Sequence, residues 1–146
     1  PPSLFRESFK KVKELGVNIT IHAGEGDGVN SIIDALDNGA MRIGHGVRII
    51  EDINNNKPGE TAKKIIEQQI PLEICITSNI HTNMYDNFDS HPIVDLIALG
   101  FNVYLNTDNR LMSNTSISKE IEIAKNLGIN EVDRLLKYSA SDSFFD

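Results

Sequence analysis

The sequence predicts an α/β fold in which about four parallel strands alternate with helices. Three observations carry this. Short apolar, β-branched runs such as Ile19-Thr20-Ile21 and Leu72-Glu73-Ile74-Cys75-Ile76 alternate with stretches of helical periodicity. Helix-to-strand connections are very short, as at Gly39-Ala40, Ile70-Pro71 and Gly100-Phe101, whereas strand-to-helix connections are long. Long loops inside a compact domain are usually functional. Polar, chemically capable residues sit just past the strand ends, the face that carries the chemistry of (β/α) barrels.

Residues 3–15 predict a helix with Phe5, Phe9 and Val12 on one face and Gly16 as its stop. Residues 19–21 predict a strand that delivers His22 at its end. Asn30 is the expected cap of a helix carrying Ile32, Ile33 and Leu36, closed by Gly39. A short strand follows over 41–44. Residues 46–60 are polar, contain Asn54-Asn55-Asn56-Lys57-Pro58-Gly59, and predict a loop. Residues 61–69 predict a helix with Ala62, Ile65, Ile66 and Gln69 on one side, and residues 72–76 a strand. Residues 77–90 predict a second long loop. Pro92 suits a helix start, with Ile93, Leu96 and Ile97 as the stripe and Gly100 as the stop. A strand ending at Asp108 precedes a helix over 116–127, with Ile117, Ile121 and Ala124 inward. Asn130 then caps a final helix reaching about Phe145. The order is α, four βα units, then α, and there is no internal repeat.

The chain has 146 residues, enough for one domain with a real core, and a net charge of -7. That charge argues against a nucleic-acid or anionic-membrane partner, since both want basic patches. No apolar run approaches the roughly 18 residues of a membrane helix. The start is neither basic nor apolar, so it does not read as a signal peptide. The single cysteine, Cys75, has no internal disulfide partner and fits a reducing, cytoplasmic setting. It reads as a small buried hydrophobe.

The candidate site is built from three strand ends. In Ile21-His22-Ala23-Gly24-Glu25, the glycine breaks the strand and lets the backbone approach a ligand, so Gly24 reads as substrate-contacting. His22 is either a hydrogen-bonded structural histidine or a metal ligand. In Arg42-Ile43-Gly44-His45-Gly46, the flanking glycines leave His45 little packing of its own. Arg42 reads as pairing with an acidic neighbour on the barrel exterior. In Leu105-Asn106-Thr107-Asp108-Asn109, Asp108 ends an apolar strand, where a metal or cation would offset its desolvation. Its alternative role is a turn or cap, and Asn109 is equally open to a turn role. His81 and His91 lie in or beside the second loop, and His91 reads as marking a helix start.

A catalytic zinc ion takes about three protein ligands and an open position. His22 and Asp108 supply two, and His45 is a third ligand or a base beside the water. Zinc would bring the pKa of that water toward neutrality, and Glu25 would protonate the atom gaining electron density. Such parts suit hydrolytic attack on an amidine-like or carbonyl carbon. Gly24, Gly26 and Gly28 do not make a phosphate loop, because Glu25 and Asp27 between them would repel phosphate.

These segments strongly resemble the adenosine deaminases. So does Ile74-Cys75-Ile76-Thr77-Ser78-Asn79, with Ile76 where the family usually has proline. Asn109-Arg110-Leu111-Met112-Ser113 with Thr115-Ser116 resembles the bacterial-type branch, and Ser143-Phe144 resembles the start of the family's last segment. The resemblance runs over about residues 1–145. It implies the C-terminal half of a (β/α)8 TIM-type barrel, with the chain 1–146 as one partial domain holding strands five to eight. It implies His22 and Asp108 as zinc ligands, and Asp108 as holding the zinc-bound water. It implies Glu25 as the proton donor to the purine ring nitrogen, and His45 as orienting and helping to deprotonate the water. Asn109 stands where many members have an aspartate that contacts the purine. The implied reaction replaces the 6-amino group of adenosine or deoxyadenosine by hydroxyl and releases ammonia.

The family's opening His-x-His zinc pair does not occur here. The expectation is therefore that this chain alone is inactive and that its open sheet edges favour self-association. A sister aminopurine deaminase acting on adenine or an adenosine monophosphate, and a non-catalytic half-barrel, are the alternatives.

Overall fold

The computed structural model describes residues 1–137 and residue 144. The chain opens with a 3-10 turn over Pro2–Phe5 that runs into α1 (Arg6–Glu14). Phe9 and Val12 of α1 pack on the core, but Phe5 is exposed, because the entry turn swings it off the helix face. β1 (Thr20–Ala23) is followed by α2 (Val29–Asp37) and β2 (Arg42–His45). A 3-10 segment over Val47–Asp52 leads into a small hairpin of β3 (Ile53–Asn54) and β4 (Lys57–Pro58). Then come α3 (Glu60–Glu67), β5 (Leu72–Ile74), α4 (Ile76–His81) and α5 (Ile93–Ala98). β6 (Val103–Leu105), α6 (Ile117–Asn126) and a 3-10 turn over Val132–Leu136 close the described chain.

The main sheet has strand order β1-β2-β5-β6, with every pairing parallel. Ile21, Ile43 and Leu72 share one register row and are buried with Ile32 and Ile65 in one apolar cluster. α2 packs on β1 and α6 on β6. The helices cover one face of the sheet, so β1, β2 and β5 alternate buried and more exposed residues, and only β6 is buried throughout. The opposite face carries Thr20, His22, Gly44 and Glu73.

Several expectations need correction. The cap of α2 is Gly28, not Asn30, which lies inside the helix. Ser31 takes over the polar bookkeeping there: its Oγ donates to the Gly28 carbonyl at 2.8 Å and accepts the Gly24 N–H at 2.9 Å. Ile33 and Ile117 are 39% and 41% exposed, and Gln69 lies beyond α3 with a left-handed backbone. The predicted loop 46–60 holds a 3-10 segment and a hairpin, with Val47 and Ile49 fully buried. The predicted loop 77–90 holds α4, and the strand before it stops at Ile74 rather than at residue 76. The final helix is represented by the 3-10 turn capped at Glu131, not Asn130, and the expected run to Phe145 falls mostly outside the described residues, as does Ser143. Arg42 does pair with a carboxylate, but on the open face of the sheet rather than the helix-covered exterior. Its Nη1 donates to Glu73 Oε1 at 3.2 Å, and the Phe144 ring lies 4.0 Å from the guanidinium.

Candidate functional site

The C-terminal ends of β1, β2, β5 and β6 bring four of the sequence-selected residues together. His22 projects from the edge strand β1 with its side chain 61% exposed, and its Nε2 lies 2.9 Å from Glu25 Oε2. The chain reaches Glu25 through Gly24, whose φ of +67° is left-handed; a Cβ there would meet Ile32 Cδ1 at 2.5 Å. Gly24 is spoken for internally: its N–H goes to Ser31 and its carbonyl accepts the Arg48 N–H at 3.0 Å. Gly46, at φ +69°, lets the end of β2 turn beside it, and its N–H donates to the Ala23 carbonyl at 2.8 Å.

His45 is the buried centre of the group, only 2% exposed. Its φ of 63° turns the side chain out of the strand alternation, so that it lines the same open-face cleft as His22 and Asp108. The strand expected to end at Asp108 stops at Leu105, and Asp108 lies three residues beyond β6 in the following turn, also left-handed with φ 54°. Two non-glycine residues held left-handed, one at the end of β2 and one in the turn after β6, store backbone strain where a site needs fixed side chains. The His22 and His45 rings lie 4.3 Å apart between centroids. His45 Nδ1 is 3.6 Å from Glu25 Oε1, and its Nε2 is 4.0 Å from Asp108 Oδ2. Burial holds the His45 pKa below the usual imidazole value, with Glu25 opposing and His22 reinforcing that shift. Around them opens a cleft of about 170 Å³ lined by Thr20, His22, Gly44, Glu73, Asn106 and Asp108 among others.

The donors suit a divalent transition metal. One ligand atom each from His22, Glu25 and His45 lies within 4.8 Å of the others, and Asp108 faces His45. Imidazole nitrogen with carboxylate oxygen is the donor chemistry of zinc sites.

The segment expected as a loop contributes most of the groups not selected from sequence. Ser78 Oγ donates to Asp108 Oδ2 at 2.7 Å and fixes that carboxylate. Asn79, wholly buried, lies between His45 and His91. The signal that was available is the Thr77-Ser78-Asn79 run directly after a strand end. Thr77 N–H is held by the buried Glu120 carboxylate at 3.2 Å, which anchors the start of α4. Asn109 Oδ1 accepts the N–H groups of Leu111 and Met112 at 3.1 Å each, so it does act as a turn residue, with its amide donor uncommitted to those contacts. Cys75 is buried as expected, and burial pushes its thiol pKa well up. His81 is exposed, at the end of α4. Among the described residues, no helix is long and apolar enough to cross a membrane.

The comparisons with known proteins agree with this architecture. The adenosine deaminase family model matches residues 1–146. Adenosine deaminase 1 of Streptomyces coelicolor is 45% identical over 128 residues, covering 84% of this chain and 32% of that protein. The chain thus spans about a third of the length of such curated relatives. Among solved structures, adenine deaminase from Arthrobacter aurescens superposes with a TM-score of 0.85 at 29% identity, over 97% of this chain and 42% of that one. N6-methyl-AMP deaminase from Arabidopsis thaliana gives 0.75 at 28% identity, over 94% and 39%. The four parallel strands and their helices are part of a TIM-type barrel, and the chain belongs to the adenosine deaminase family.

Proposed function

We propose that this chain supplies one part of the active site of a zinc-dependent aminopurine deaminase, adenosine being the leading substrate. The observation that supports this reading best is the convergence of His22, Glu25, His45 and Asp108 on one end of the sheet, in a family named for this reaction. His22 and Asp108 would hold the zinc ion, which as a Lewis acid supplies a nucleophile from water at neutral pH. Asp108, steadied by Ser78, and His45 would flank the attacking water, His45 orienting it and helping its proton leave to the Asp108 carboxylate. Glu25, with a side chain only 15% exposed, donates a proton to the purine ring nitrogen beside the attacked carbon. The amine then leaves as ammonia and the hydroxypurine remains. Asn109 would meet the purine through its amide donor, because its carbonyl already serves the backbone. Gly24 shapes the substrate side through its backbone.

The chain 1–146 would act as a single partial domain, strands five to eight of the barrel. Two zinc ligands are too few for a full site, so the chain by itself is expected to have little or no activity. The open edges of β1 and β6 favour pairing with a second copy or with the rest of a barrel. A purine nucleoside is the small-molecule partner, and a reducing, cytoplasmic setting suits the buried free thiol of Cys75.

The test is ammonia release by the whole enzyme from adenosine, deoxyadenosine, adenine and N6-methyl-AMP. Adenosine should be turned over fastest, and Glu25→Gln should lower kcat by about 10²- to 10⁴-fold. An enzyme that prefers adenine or the nucleotide would shift the substrate to that of the solved neighbours. An undiminished Glu25→Gln variant would overturn the mechanism.

A further inference from the structure

We propose that His91 and Asn79 form a positioning pair that sets the tautomer of His45, so that its Nε2–H faces Asp108. His91 is buried and follows a 3-10 turn. Its Nδ1 accepts the Ile93 backbone N–H at 3.2 Å, and a backbone N–H can only donate. Nδ1 is therefore unprotonated, and neutral His91 carries its proton on Nε2. Burial, which pulls the His91 pKa down to about 4, keeps the ring neutral at ordinary pH.

Nε2 lies 3.1 Å from the Asn79 side chain, so it donates to Oδ1 and dictates which way that amide faces. The reversed amide would set an N–H donor against an N–H donor. The other side of Asn79 agrees. Its Nδ2 is 3.5 Å from Glu25 Oε1 and 3.7 Å from Met84 Sδ, both acceptors. With Nδ2 fixed on that side, the contact of 3.2 Å to His45 Nδ1 makes Nδ1 the acceptor. Neutral His45 then carries its proton on Nε2, the atom 4.0 Å from Asp108 Oδ2. The orientation passes from a backbone amide through His91 and Asn79 to His45.

The consequence rests on the proposed function only in placing the attacking water between His45 and Asp108. A His45 that presents Nε2–H donates a hydrogen bond to that oxygen and orients it, and the proton of the water passes to the Asp108 carboxylate. Other buried polar groups near the site serve different ends: Glu120 and Thr115 anchor α4, and Ser78 holds Asp108.

NMR of the isotope-labelled histidine rings reads the tautomers directly, well above the ordinary imidazole pKa of about 6.5. The samples are the whole enzyme, metal-free and zinc-loaded, with His91→Phe, His91→Gln and Asn79→Ala beside the parent. Both His91 and His45 should carry the proton on Nε2 in the parent. His91→Phe and Asn79→Ala, which break the chain at different links, should give His45 a mixed population. His91→Gln, which keeps an N–H donor toward Asn79, should restore Nε2–H. In turnover, His91→Phe should lower kcat about 10- to 100-fold with little change in KM, as loss of an outer-shell orienting partner does, and His91→Gln should recover most of it. A parent protein with His45 protonated on Nδ1 overturns the proposal, whether or not the variants fold. So does a single unchanged tautomer in folded His91→Phe. Because the spectrum needs no turnover, an inactive protein with the expected tautomers would count against the proposed reaction and leave this pair standing.

Discussion

His22 and His45 stand on adjacent strands with their rings 4.3 Å apart, yet they occupy opposite surroundings. The His22 side chain is 61% exposed and that of His45 is 3% exposed. The cause is strand position. Among the described residues β1 is an edge of the sheet and pairs with β2 alone, whereas β2 has β1 on one side and β5 on the other. The centre of the sheet is thus finished within this chain, down to the Asn79 and His91 contacts behind His45. The edge around His22 is open and has Glu25 as its near partner. A site on a sheet is rigid where strands flank it on both sides, and His22 needs something more beyond β1 before it is held equally well.

Substitutions at the centre and at the edges should therefore differ in cost. The largest effect is expected at Leu72 on β5, which is fully buried beneath the centre of the site. Leu72→Ala should lower unfolding free energy by about 2–5 kcal/mol, read from the urea midpoint. A loss below 1 kcal/mol would mean that the centre is as loosely packed as the edge.

Next comes acid sensitivity from His91. Its folded pKa is depressed by burial to about 4, against about 6.5 unfolded. Between those values the unfolded chain binds more protons, so stability is complete above about pH 6.5 and falls as pH drops toward 4. The loss is of order 3 kcal/mol at the acid end. His91→Gln should flatten that limb in pH-dependent urea unfolding. An unchanged slope would place the acid sensitivity elsewhere.

The far edge, β6 with α6, should be less costly to disturb. Ser116 Oγ accepts the Lys119 N–H at 3.3 Å and caps α6. Ser116→Ala is expected to cost about 1 kcal/mol, measured as a shift in thermal midpoint. The smallest effect belongs to His22: His22→Ala should change stability by less than about 0.5 kcal/mol in the same assay. A larger loss there would show the β1 edge to be as enclosed as the centre.

Legibility in the sequence divided along the same line. The polar residues His22, His45 and Asp108 were readable, because each follows a short strand signal and lies within two residues of a glycine or asparagine, although β1 runs past His22 to Ala23 and β6 stops at Leu105, short of Asp108. α4 was not. Thr77, Ser78 and Asn79 are polar and read as loop, yet all are buried, since their partners are Glu120, Asp108, His45 and His91. Hydrophobic periodicity has no signal for a helix whose inward face is polar and satisfied from distant elements. Segment 47–52 was hidden for a related reason: Val47 and Ile49 are too few to set a period among their charged neighbours.

The alternation of strands and helices, the short returns at Gly39 and Gly100, and the polar strand ends follow from local sequence alone. They depend on side-chain period and glycine conformation, both properties of neighbouring residues. Tertiary structure decided the rest. Arg42 meets Glu73 on the open face because parallel register sets those strands side by side, 31 residues apart in sequence. His91 reaches His45 only because Asn79 comes between them, and His45 at the end of β2 meets Asp108, in the turn beyond β6, with both backbones left-handed. Those arrangements depend on which distant groups share a face, and a hydrogen bond across the fold leaves no periodic trace along the chain.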